Sequence, residues 1–228
     1  MKKILCVLAL MLSSTSFAAE ISTKSSLDKQ VGYSLGYSMA NNNAEVFQDI
    51  NIDAFLLGFK AALAGKAPSL SPEQMSTALT QYRQQSESKA LVEFQKEAAN
   101  NLQVGQAFLA ANAKASNIKT TKSGLQYQVL QAAKGKTPKA SSTVRVHYEG
   151  RLLDNTIFDS SIARQQPAEF KLSQVIPGWT EGVQLMPVGS KYRFFIPSAL
   201  AYGETGSGDV IGPNSTLIFD IELLAIND

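Results

Sequence analysis

The chain has 228 residues, 44% of them hydrophobic, and carries 21 Lys plus Arg against 19 Asp plus Glu, a formal net charge of +2. A balance this close to neutral argues against a nucleic-acid binder, which needs a basic stripe. A single cysteine and a single histidine exclude disulfide scaffolds and zinc-thiolate sites.

Lys2 and Lys3 precede an apolar run from Ile4 to Leu12, and a small, polar stretch ends in Ser16-Phe17-Ala18-Ala19, the order of a secretory signal peptide. Cleavage after Ala18 sets small residues, Ser16 and Ala18, at both key positions. The run is far shorter than the roughly 18 apolar residues of a membrane anchor, and no later segment is long enough either. Cys6 lies inside it, so the working chain is expected to hold no thiol, and loss of Lys2 and Lys3 takes the net charge to zero.

From Ser26 to about Asn41, Leu27, Val31, Leu35 and Met39 recur every four residues, and from Ile52 to Ala64 so do Phe55, Leu56, Phe59 and Leu63, which predicts two amphipathic helices. Gly65 and Pro68 punctuate. Ser71-Pro72-Glu73-Gln74 then offers an N-cap serine, a first-turn proline and a capping-box Gln, so a new helix starts there. No proline follows before Pro138, and Ala, Gln, Glu and Lys dominate to about Ala115, a helix of about 40 residues or about 60 Å. Gly105 is a point at which it could kink. Two short helices and one long one bury little by themselves, so dimerisation through them is expected, with Gly32 and Gly36 either allowing close approach or merely weakening the helix.

Beyond Lys122-Ser123-Gly124 the period becomes two. Leu125, Tyr127 and Val129 alternate with Gln126, Gln128 and Leu130; Val144, Val146 and Tyr148 with Arg145, His147 and Glu149; Leu217, Phe219, Ile221 and Leu223 with Ile218, Asp220 and Glu222. These are half-buried antiparallel strands. Phe170 to Leu172 and Tyr192 to Ile196 read as two more, and Gly178 to Met186 has room for one short helix, giving an α+β domain after an all-α one. The expected division is a signal peptide at 1–18, a helical dimerisation domain at 19–70, a long connecting helix at 71–115 and a sheet domain at 116–228.

No nucleophile–base pair or metal cluster can be assembled from these residues, and His147, on the face opposite Tyr148, suits a structural hydrogen bond better than catalysis. The glycine-rich Gly203-Glu204-Thr205-Gly206-Ser207-Gly208 lacks the Lys-Ser/Thr of a phosphate loop and runs toward a strand. What remains is aromatic: Tyr148, Phe158, Trp179, Tyr202 and Phe219, each by itself an ordinary core residue.

Their order and spacing carry more. Val146-His147-Tyr148-Glu149-Gly150, Phe158-Asp159-Ser160-Ser161, Val175-Ile176-Pro177-Gly178-Trp179 with Glu181-Gly182-Val183, Ala201-Tyr202-Gly203 and Thr216-Leu217-Ile218-Phe219-Asp220 resemble, in register over roughly 125–224, the FKBP family of peptidyl-prolyl cis-trans isomerases. The leader, the helical region and Ser123-Gly124-Leu125-Gln126-Tyr127 at the junction further resemble the Mip-like (macrophage infectivity potentiator) subgroup, more loosely.

The resemblance implies a five- or six-stranded sheet wrapped around one helix, with an apolar pocket for a prolyl ring and no cofactor. In it Trp179 would form the floor and Tyr148, Phe158, Val175, Ile176, Ile211 and Phe219 the walls. Tyr202 and the Ile176 N–H would bond substrate carbonyls, and Asp159 would engage Arg164 and the Tyr148 hydroxyl. Asp159, Tyr202 and Phe219 are the residues expected to bear most on catalysis. Three positions depart from the family's single-domain members: Ala168 for an aromatic wall residue, Gln174 for a glutamate and Ser207 for a loop histidine. Implied partners are proline-containing polypeptides, macrolide inhibitors and a second copy of the chain; the implied location is the periplasm or the outer-membrane surface. The alternative function is a dimeric periplasmic chaperone that binds proline-containing unfolded clients with incidental turnover.

Overall fold

The computed structural model describes residues 21–227, so the signal-peptide reading of residues 1–18 lies outside the described residues. Two compact units divide at Thr77/Ala78, inside the long helix.

The first unit holds α1 (Leu27–Asn42), α2 (Ala44–Gln48), α3 (Ile52–Leu63) and the first turns of α4 (Pro72–Asn112). The short α2 was not expected, since five residues span too little chain for a period to register. Asn51 caps α3 by accepting from the Ala54 N–H at 2.9 Å. At the start of α4 the Gln74 N–H donates to Ser71 Oγ at 3.2 Å and the Ser71 N–H to Gln74 Oε1 at 2.8 Å, a completed capping box. No residue of α1 or α3 is buried: Leu27 is 75% and Leu63 76% exposed, although Phe47 and Phe55 meet edge to face at 5.2 Å.

In the second unit, β1 (Lys119–Thr120), β2 (Gln126–Gln131), β3 (Thr143–Arg151), β4 (Ile157–Ser160), β5 (Ala168–Lys171), β6 (Lys191–Ile196) and β7 (Leu217–Asn227) form one antiparallel sheet in the order β1-β2-β6-β7-β3-β4, with β5 also pairing β3. That makes seven strands where five or six were expected, because β1 and β4 are too short to show alternation. On the concave face Val144, Val146, Tyr148, Phe194, Phe219, Ile221 and Leu223 close over α5 (Pro177–Val183), which contributes Trp179 and Val183. Helix α5 lies tight against β6: a Cβ on Gly178 would stand 2.5 Å from Ile196 Cγ2, and one on Gly182 2.6 Å from Phe194 Cε1.

The outer face of the sheet is covered as well, which alternation did not predict. The end of α4 lies over β2 and β6, with the Phe108 and Phe195 rings 5.7 Å apart. Gln126, which alternation assigns to a polar outward face, is buried: its Nε2 donates to Leu109 O at 2.8 Å and its Oε1 accepts from Asn112 Nδ2 at 2.8 Å. Helix α4 runs through Gly105 unbroken. The missing side chain there serves close packing, since a Cβ would collide with Thr216 Oγ1.

Candidate functional site

At one end of the concave face is an apolar cavity of about 350 Å³ lined by Tyr148, Phe158, Asp159, Phe170, Gln174, Val175, Ile176, Trp179, Tyr202 and Phe219. The lining comes from β3, β4, β5 and β7, from the stretch Gln174–Ile176 that leads into α5, from Trp179 on that helix and from Tyr202. In β3, Gly150 faces Phe219 across one ladder and Asp159 across the other, which brings Phe158 and Phe219 to either side of a position with no side chain. A Cβ there would lie 2.6 Å from both rings.

Trp179, 4% exposed, lies at the centre of the site on the first turn of α5. Tyr148, Phe170 and Phe219 all stand nearly perpendicular to its ring, at centroid distances of 5.3, 5.3 and 5.2 Å, and Phe158 meets Phe219 edge to face at 5.4 Å. Edge-to-face pairing sets each ring's positive rim on its neighbour's negative face and makes the enclosure stiff. The Trp179 Nε1–H has no hydrogen-bond partner among the described residues.

One polar cluster borders the rings. Asp159 accepts from the Tyr148 hydroxyl through Oδ2 and from Arg164 Nη1 through Oδ1, while Arg164 Nη2 donates to the Tyr148 oxygen at 2.9 Å. Burial works to raise the Asp159 carboxyl, but hydrogen bonds from Arg164 and Tyr148 and the guanidinium charge outweigh it and hold the group below its ordinary value. Burial, then the hydrogen bond to Asp159, pushes the Tyr148 phenol above its ordinary value. His147 stays outside this cluster, with Nδ1 3.1 Å from Ser161 Oγ, which itself accepts from the Tyr148 N–H at 2.8 Å.

Two residues of the lining carry donors without an acceptor among the described residues. The Ile176 carbonyl accepts from the Trp179 and Thr180 N–H groups at the start of α5, and its own N–H has no acceptor among the described residues. Tyr202, 37% exposed, follows a short 3₁₀ helix, Ser198–Leu200, and lines the cavity with its hydroxyl unbonded among the described residues.

Of the ten candidate residues, eight line the cavity. Arg164 does not, but grips Asp159 and Tyr148 from outside, and Ile211, 8% exposed, joins the same core cluster without lining the space. The aromatic expected to be missing at Ala168 is supplied two residues on: Ala168 pairs Val146, and Phe170, on the same face of β5, brings its ring against Trp179. Period two along β5 was the signal that could have found it. Gln174, noted as a departure, lines the space.

Two family models match: one described as FKBP-type peptidyl-prolyl cis-trans isomerase over residues 134–224, and one described as the domain amino terminal to it over residues 28–129. The chain is 48% identical over 208 residues to an FKBP-type peptidyl-prolyl cis-trans isomerase FkpA of Aeromonas hydrophila, covering 88% of this chain and 77% of that one. It is 42% identical over 214 residues to the outer membrane protein MIP of Legionella longbeachae, covering 93% and 92%. Among solved structures it is similar to FkpA from Escherichia coli, with a TM-score of 0.73 and 39% identity over 88% of this chain and 94% of that one.

Proposed function

Since the chain belongs to the FKBP-type peptidyl-prolyl cis-trans isomerase family, we propose that it speeds rotation about Xaa-Pro bonds by enclosing the twisted amide non-covalently in the cavity around Trp179. Amide resonance sets the barrier at about 18–20 kcal/mol, and the uncatalysed prolyl bond turns over in tens to hundreds of seconds. Halfway through rotation that resonance is lost, the C–N dipole falls and the nitrogen becomes pyramidal. Water solvates this less polar state relatively poorly, whereas a wall of rings loses nothing by holding it.

The observation that carries the reading is the enclosure of Trp179 by three rings beside two free donors, the Ile176 N–H and the Tyr202 hydroxyl. The prolyl ring rests on the indole, and carbonyls on either side of the rotating bond accept from the two donors, so one end is held while the other turns. Asp159 keeps the Tyr148 ring in place through its hydroxyl, with Arg164 neutralising the carboxylate. Each tenfold of rate requires about 1.4 kcal/mol of preference for the twisted state, which a few such contacts supply. The test is the cis-to-trans rate of a short Xaa-Pro peptide with the intact protein and with Phe219→Ala at equal folded concentration. Acceleration by the first and its loss in the second is expected; no acceleration by either overturns the reading in favour of a binding chaperone.

The exposed apolar side chains of α1 and α3 favour a homodimer through the helical unit, and the open space around Gly32 and Gly36 leaves room for a second backbone. A pair of prolyl cavities would then hold an unfolded client by avidity. Light scattering is expected to give twice the chain mass. The leader-like residues 1–18 support export to the periplasm or the outer-membrane surface.

A further inference from the structure

The segment between β6 and β7, residues 197–216, carries Tyr202 and Ile211. Within itself it is tied by the Gly203 N–H donating to Ser198 O at 2.9 Å, by a paired bridge between Ser207 and Ile211 at 2.8 and 3.2 Å, and by Thr205 Oγ1 donating to Tyr202 O at 3.2 Å and Ser215 Oγ to Gly212 O at 2.8 Å. Two further side-chain ties run to helix α4. Asn101 Nδ2 donates to Pro213 O at 2.9 Å, and Asn214 Nδ2 donates to Ala98 O at 3.2 Å. One turn further along α4, Gly105 admits Thr216, and on the side of the preceding turn Glu97 stands against Gly212.

Asn214 joins these ties to the site. Its backbone is left-handed, φ 56°, a conformation that asparagine tolerates better than most side chains. In that conformation its N–H donates to Gly203 O at 2.8 Å. Gly203 is the residue after Tyr202. A chain of bonds therefore leads from the Ala98 carbonyl in α4, through both the side chain and the backbone of Asn214, to the carbonyl of Gly203, one residue beyond Tyr202. The Tyr202 hydroxyl has no bond of its own among the described residues, and its side chain is over a third exposed, so its place is set by its backbone. Misplacing a substrate-holding group by about 1 Å can cost on the order of a hundredfold in rate.

We propose that Asn214 and Asn101 are positioning residues for the isomerase reaction, fastening the 197–216 segment to α4 so that the Tyr202 hydroxyl is held where a substrate carbonyl meets it. This rests on Tyr202 being such a donor, as argued above. The last turns of α4 are then part of the working site without touching substrate.

Asn214→Gly keeps the left-handed backbone and the bond to Gly203 and removes only the tie to α4; Asn101→Ala removes the other. The pair is combined in the full chain, with and without Tyr202→Phe, and kcat/KM is measured on an Xaa-Pro peptide. Amide exchange is followed in residues 201–215 and in the sheet. The expected result is a loss of about tenfold in the Asn101→Ala/Asn214→Gly protein, faster exchange in 201–215 with the sheet unchanged, and little further loss once Tyr202 is already Phe. If Tyr202→Phe is damaging while the asparagine pair is harmless, or costs the same factor in both backgrounds, the positioning role is overturned. If Tyr202→Phe is itself without effect, the donor role of Tyr202 falls and this proposal falls with it.

Discussion

The Arg164 guanidinium lies 5.7 Å from the centroid of the Tyr148 ring while its Nη2 holds the Tyr148 hydroxyl at 2.9 Å, so one cation grips both the face and the tip of a ring that walls the cavity. Asp159 completes the cluster by bonding both partners. Asp159→Ala removes the acceptor common to them and frees the ring. It is expected to lower kcat/KM about tenfold with the fold retained, a consequence of lost orientation. Peptide isomerisation beside circular dichroism checks it; unchanged activity would reduce Asp159 to a turn residue.

The pH profile follows from the same cluster. Asp159 is held below its ordinary value, so its contribution is complete above the unfolded carboxylate value of about 3.9 and is lost as pH falls through the lowered one. Tyr148 is raised, so its hydroxyl stays protonated and its contribution disappears only as pH climbs past the ordinary phenol value of about 10. Activity is therefore expected to be level between about pH 5 and pH 9, with no inflection near neutrality. An inflection inside that window would point away from this cluster.

Gly150→Ala puts a methyl 2.6 Å from the Phe158 and Phe219 rings, so the rings must move to admit it. The expected cost is about 1–3 kcal/mol of stability from overpacking, together with a raised KM because two walls of the cavity shift. Urea unfolding and steady-state kinetics separate the two effects.

On the other face of β7, Asp220 accepts from Arg193 Nε at 2.5 Å and Nη2 at 2.7 Å and from Arg151 Nη2 at 2.7 Å. Burial works to raise its carboxyl, but bonds and charge from Arg193, with Arg151 and Lys191 adding charge, hold it low. Asp220→Asn leaves two guanidinium groups without a counter-charge. A fully buried pair broken this way costs about 3–5 kcal/mol; with the Arg193 side chain 34% exposed, about 2 kcal/mol is expected. Isomerase activity at equal folded concentration should be retained, because Phe219, not Asp220, faces the cavity.

The sheet and most of the cavity were legible because period two in β3 and β7 and the spacing around Trp179 are local signals. Phe170 escaped notice because the aromatic position was sought at Ala168, and only the register of β5 on β3 shows that the next residue on that face reaches the same ring. The outer face was hidden for a different reason. Gln126 and Ile218 fall on the outward side of the alternation yet are buried, and Gln126 and Phe195 lie under a helix whose periodicity says nothing about what it lies on. For the same reason Gly105 showed in the sequence only as a point where α4 could kink, when Thr216 needs the space.

Helix α4 also decides where this protein can be cut. The isomerase family match begins at residue 134, yet a fragment started there would lack β2 with Gln126 altogether, and one started at residue 116 would lose the lid over Phe195 and the bonding partners of Gln126. Such a fragment would present a greasy, half-satisfied sheet to solvent and would be prone to clump. A piece that keeps these contacts is expected to begin upstream of Glu97, so it would be longer than the isomerase family match at 134–224 and would include a stretch of what looks, by composition, like a mere spacer.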